Sequence, residues 1–105
     1  MMSLEENLRK NKVNSYIGFA VKSNCAIFGL DMLLTSRKPP YIILIDKALG
    51  KNSLKQINLY KERHSTVEII ETEENFLNNL LKRENVKILS IIELNLATAI
   101  KNNLN

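Results

Sequence analysis

The stretch that most constrains this chain is Tyr41-Ile42-Ile43-Leu44-Ile45. It is a consecutive apolar run, rich in β-branched residues and with no polar alternation. That pattern asks for a strand covered on both faces. Pro39-Pro40 keeps a helix from running into it, and the polar stretch from Asp46 to Lys51 reads as a loop. A strand buried on both sides needs helices above and below it. With 105 residues, there is room for one domain.

The flanking sequence supplies those helices. Residues 3–10 read as a short polar helix or a frayed extension. From Lys12 to Lys22 the apolar positions Val13, Tyr16, Ile17, Ala20 and Val21 form the stripe of an amphipathic helix. Ser23-Asn24 ends it, since Asn tolerates the left-handed conformation found after helices. Cys25 to Phe28 reads as a short strand, Gly29 as a turn, and Leu30 to Arg37 as a short helix with Asp31 in its first turn. After the central run, Asn52 or Ser53 is expected to cap a helix with Leu54, Ile57 and Tyr60 inside. Thr66 to Ile70 reads as a strand. Thr72 is expected to cap the next helix, with Glu73 and Glu74 in its first turn and Phe76, Leu77, Leu80 and Leu81 on one face. Val86 to Ile91 reads as a further strand. Glu93 or Asn95 opens a last helix through Ala97, Ile100 and Leu104. The expected architecture is α/β, with four strands and helices on both faces.

Charge narrows the function classes. Residues 1–63 hold eleven Lys and Arg against five Asp and Glu, whereas residues 64–105 hold four against six. A basic segment of this kind suits phosphate-bearing partners, and a solvated surface is its ordinary alternative. The first ten residues lack the apolar stretch of a signal peptide, and no apolar run nears the length needed to span a bilayer. A single Cys25 cannot form an internal disulfide and suits a reducing compartment, so a cytoplasmic setting is expected.

No pattern for catalysis is found. His64, the sole histidine, sits beside Arg63 and Ser65 at a helix end, where a capping or solvated role is expected. Cys25 lies in an apolar run without a basic neighbour to activate it. Three glycines do not make a phosphate loop. Glu71, Glu73 and Glu74 are explained by a helix start. The expectation is a protein that is not an enzyme and needs no metal or cofactor.

The stretch from Ile17 to Gly29 resembles the opening of the kink-turn RNA-binding ribosomal-protein superfamily, of the L-seven-Ae and L-thirty-e type, in its bacterial YlxQ-like branch. The family's first helix carries Leu-Gly-Leu-Ala, matched here by Ile17-Gly18-Phe19-Ala20. Its glycine between first strand and second helix is matched by Gly29. Its dense aliphatic strand is matched by Tyr41 to Ile45, and its polar, Lys-rich loop and helix by Asn52-Ser53 before Leu54-Lys55-Gln56-Ile57. The element order agrees along nearly all of residues 11–104.

The resemblance implies a three-layer α/β/α sandwich around a four-stranded mixed sheet, formed by residues 11–105 behind a short polar extension at 1–10. It also implies a site for sharply bent RNA, such as ribosomal RNA, at the start of the second helix. A glycine there lets RNA approach the backbone, and helix-end N–H groups face phosphates or base edges. The family motif reads Gly-x-Asn-Glu with a Lys three residues later. This chain has Gly29, Leu30, Asp31 and Met32, then Thr35. Asp in place of Asn loses an amide donor, Met in place of Glu loses the acceptor for a guanine edge, and Thr35 does not neutralise a phosphate. Asn24-Cys25 likewise replaces a Gly-Lys pair. Arg37, Lys38, Lys47 and Lys51 supply the remaining nearby cations. Ile91 and Ile92 occupy the place of an apolar loop that packs over an extruded base, with core packing as the competing reading. The expected partner is structured RNA, with the ribosome or another protein as a further partner, and neither membrane nor DNA. The alternative is a diverged member that keeps the fold and acts as a protein-interaction or structural domain.

Overall fold

Alternation along the central strand shows why the chain takes three layers. The computed structural model describes residues 3–104. In chain order its elements are α1 (Leu4–Lys22), β1 (Ala26–Phe28), α2 (Gly29–Thr35), β2 (Ile42–Asp46), α3 (Lys51–Arg63), β3 (Glu68–Thr72), α4 (Phe76–Leu81), β4 (Ile88–Ile91) and α5 (Leu94–Leu104). Successive side chains of a strand point to opposite faces. Ile42 and Leu44 of β2, with Leu89 and Ile91 of β4, pack against Val13, Ile17 and Ala20 of α1, Leu77 of α4, and Ala97 and Ile100 of α5. Ile43 and Ile45, with Ile88, pack on the other side against Leu33 of α2 and Ile57 and Tyr60 of α3. The chain is therefore a three-layer α/β/α sandwich.

The sheet is mixed, in the order β1-β4-β2-β3. β2 and β3 are parallel, with Ile42 opposite Glu68 and Asp46 opposite Thr72. β4 runs antiparallel to both its neighbours, so Ile91 faces Ile42 on one side and Ala26 on the other.

Several local expectations are corrected. The polar extension is not a separate element: α1 is continuous from Leu4, and Ser3 caps it by accepting a hydrogen bond from the Glu6 N–H at 3.2 Å. Residues 1 and 2 of that extension lie outside the described residues. What changes along α1 is burial, because residues 3–12 are exposed and the core contact begins at Val13. The cap of α3 is Gly50, which leaves Asn52 and Ser53 inside the helix. Thr72 is no cap: it ends β3, and its hydroxyl donates to the Ile45 carbonyl at 3.0 Å. Asn75, in the left-handed conformation at φ 64°, precedes α4 instead. β3 begins two residues late because a turn occupies 64–67: the Val67 N–H donates to the His64 carbonyl, and the Lys61 ammonium donates to the carbonyls of Ser65 and Val67. Two other expectations hold. Asn24 is left-handed at φ 59° after α1, and the Glu93 carboxylate accepts from the Leu96 N–H at the start of α5. His64 is the C-cap of α3, its ring 4.3 Å from that of Tyr60.

Ser90 is fully buried in β4, in register with Ile27 and Ile43, and its hydroxyl has no partner among the described residues. A buried hydroxyl without a partner is a cost to folding. Ser90→Ala is expected to leave the urea midpoint unchanged or raise stability by up to about 1 kcal/mol. A clear loss of stability would show that the hydroxyl is bonded in solution.

Candidate nucleic-acid interface

Strand direction decides which loops meet. β1, β2 and β3 all end, and β4 begins, at one end of the sheet. Phe28 pairs with Leu89, Ile45 with Ile88, and Asp46 with Thr72. The Asp46 N–H donates to the Lys87 carbonyl at 2.9 Å, and the Lys47 N–H to the Thr72 carbonyl at 3.0 Å. Four connections therefore converge there: the Gly29 turn, the loop after β2, the loop after β3, and the loop at 82–87 before β4.

Gly29 makes its turn at φ 80°, a conformation that side chains disfavour. A Cβ there would meet nothing within 4 Å, so the constraint is the backbone angle and the space in front is open. Beyond it Leu30 is half-buried on the α2–α3 side, Asp31 is exposed, and Met32 is 64% exposed. α2 has seven residues, about two turns, so its macrodipole is short.

Asp46 fastens this end together. Its carboxylate is fully buried and accepts from the Ala48 N–H at 2.7 Å and from the Asn75 N–H at 2.9 Å, with the Lys87 ammonium at 3.9 Å. Burial alone pushes its pKa up. The two backbone donors, then the charges of Lys87 and Lys47, outweigh that and hold it below the ordinary value. Three connections thus hang on one side chain. The 82–87 loop has two further ties: the Val86 N–H donates to the Asn78 side chain at 2.7 Å, and the Arg83 guanidinium lies 4.5 Å over the Phe28 ring.

Cations and carboxylates are both present at this end. Lys47, Lys51, Lys82, Arg83 and Lys87 stand with Asp31, Asp46, Glu73, Glu74 and Glu84. Lys47 is engaged with Glu73 at 2.6 Å, and hydrogen bonding to that carboxylate raises its pKa. Beside this end, a cleft of about 430 Å³ separates the polar half of α1, at Glu6, Arg9 and Lys10, from Glu71 to Glu73.

Of the residues expected to form the site, Gly29, Leu30, Asp31, Met32, Lys47 and Lys51 share this end. Thr35 lies at the far end of α2, its hydroxyl donating to the carbonyls of Asp31 and Met32. Arg37 and Lys38 precede β2 and lie at the opposite end of the sheet. Ile91 and Ile92 lie there too, because β4 runs away from Gly29. Ile91 is wholly buried in the core, as the packing alternative has it, and the Ile92 N–H bonds the Cys25 carbonyl. The loop beside Gly29 is instead 82–87, with Lys82, Arg83 and Lys87. The Lys82-Arg83 pair is visible in the sequence, but its place beside Gly29 follows only from the antiparallel direction of β4.

No family model and no curated protein matches the sequence. Among solved structures the chain is similar to a protein with unknown function from Bacillus halodurans C. The TM-score is 0.72 at 11% identity, and the match covers 86% of this chain and 97% of that one. At that identity the likeness is one of fold. Among the described residues, no helix is long and apolar enough to cross a membrane.

Proposed function

We propose that this chain is a cytoplasmic RNA-binding module, associated with the ribosome or translation and not an enzyme, that receives sharply bent RNA at the Gly29 end of its sheet. The observation that carries this reading is the convergence of the Gly29 turn with the loop at 47–50, which leads into Lys51, and the loop at 82–87, on one end of the sheet. The resemblance of Ile17 to Gly29 to the kink-turn family supports it. Lys51, Lys82 and Arg83 reach phosphates, and exposed Met32 offers an apolar face where the family has a carboxylate. Because carboxylates balance the cations here, recognition rests on the shape of the bend more than on bulk attraction. The second reading, a protein-docking domain, draws on that same charge balance and on Met32.

The test is fluorescence anisotropy with a kink-turn RNA and a straight duplex of equal length, at low and near-physiological salt. The kinked RNA is expected to bind at least about tenfold tighter, equivalent to 1.4 kcal/mol, and to keep that advantage as salt rises. Joint Lys82→Glu and Arg83→Glu substitution is expected to abolish the preference. Equal or absent binding of the two RNAs would refute the reading and turn attention to protein partners.

A further inference from the structure

The end of the sheet opposite Gly29 gathers features that the bent-RNA reading does not use. The chain has three Phe and three Tyr and no Trp. Tyr16, Phe28, Tyr60 and Phe76 pack at least partly into the two cores. Phe19 and Tyr41 do not: they are 60% and 46% exposed, and both stand at this end. Tyr41 directly precedes β2, and its N–H donates to the Ile91 carbonyl. Next to it Ile92, 39% exposed, continues the β4 backbone beside Cys25. Phe19 lies in the last turn of α1, which ends here.

Cations share this end with the apolar surfaces. Lys22 closes α1, Arg37 and Lys38 lead into Tyr41, and Arg63 closes α3. None of the four takes part in an ion pair or side-chain hydrogen bond among the described residues. Two carboxylates at this end are already engaged. Glu68 pairs with Lys101 at 2.6 Å, and Glu93 accepts from the Leu96 N–H. Glu62, on the last turn of α3, also stands here. A solvent-facing aromatic ring among unpaired Lys and Arg matches a strand whose bases are unstacked and whose phosphates are accessible. A duplex keeps its bases stacked inside and offers no base face to Tyr41.

We infer that this end is a second nucleic-acid surface, which takes an unpaired RNA strand by stacking a base on Tyr41, beside Ile92, and holding the adjoining phosphates with Lys22, Arg37, Lys38 and Arg63. The surface shares no residue with the Gly29 end. Only the choice of RNA over DNA rests on the function proposed above.

The experiment is anisotropy of the full chain with short fluorescent oligouridine and, as the other arm, oligothymidine, at low and near-physiological salt. Oligouridine is expected to bind at low salt and to weaken steeply as salt rises, since each phosphate contact adds about 0.7 to the logarithmic slope for a single strand. Tyr41→Ala is expected to weaken binding about five- to hundredfold, and Tyr41→Phe to restore it, because stacking needs the ring. Arg37→Glu with Lys38→Glu should flatten the salt dependence. The Lys82→Glu and Arg83→Glu pair should leave oligouridine binding unchanged, even where it abolishes the kink-turn preference. Absence of oligouridine binding at low salt, or indifference to the Tyr41 and Arg37/Lys38 changes, would overturn the inference. Equal or tighter binding of oligothymidine would overturn the assignment to RNA.

Discussion

Replacing Asp46 with Ala is expected to lower the stability of the fold by on the order of 3 kcal/mol. The carboxylate is the acceptor for two backbone N–H groups on separate connections, Ala48 and Asn75, and it neighbours Lys87 on a third. Hydrogen bonds to a charged group are each worth about 1.5–3 kcal/mol, and their loss leaves the donors to find water in a crowded place. Urea unfolding at neutral pH measures the loss. Acid titration gives the complementary result. The folded carboxyl ionises below its ordinary value of 3.8. Its stabilisation is therefore fully present above that value and is lost as pH falls through the folded one. The wild-type chain should lose stability in this range, and Asp46→Asn should lack that part of the acid limb. Matching acid limbs in the two proteins would show that Asp46 is not held ionised by the fold.

The second large effect contrasts two positions on one helix. Ile17→Ala is expected to cost about 2–5 kcal/mol, because Ile17 is wholly buried among the sheet, α4 and α5, and its loss leaves a cavity. Leu8→Ala, nine residues earlier on α1, is expected to stay within about 0.5 kcal/mol, because Leu8 is exposed. Urea midpoints of the two variants decide the matter. A Leu8 cost near that of Ile17 would mean that the polar half of α1 is covered in solution.

Much of the fold can be read from patterns that burial enforces. The run Ile42 to Ile45 has to be covered on both faces, and the stripe Val13, Ile17, Ala20 has to face a core. Caps and strand limits were harder to read, because they depend on contacts distant in sequence. Thr72 has the chemistry of a cap, yet its hydroxyl finds the Ile45 carbonyl, and Lys61 holds the turn that delays β3. The candidate site was half legible for a related reason. Position along the chain does not say which end of the sheet a loop occupies; strand direction does. Reading β4 as antiparallel would have put its beginning, Lys82 to Lys87, beside Gly29, and its end, Ile91-Ile92, beside Tyr41. Nothing local to those residues marks that direction.

The exposed half of α1 also bears on how this molecule avoids its own kind. Among the described residues β3 is paired on one side only, so its other margin presents unpaired backbone groups of the sort that recruit foreign strands and seed aggregates. An approaching strand would meet Glu68, tethered to Lys101, and then Glu71. Past them, across the cleft, stand Glu6, Arg9 and Lys10 of α1. The opposite margin, β1, is only three residues long. The polar half of α1, which adds little to the core, thus sets charge across the cleft from this open margin, where charge disfavours completion of the sheet by a neighbour.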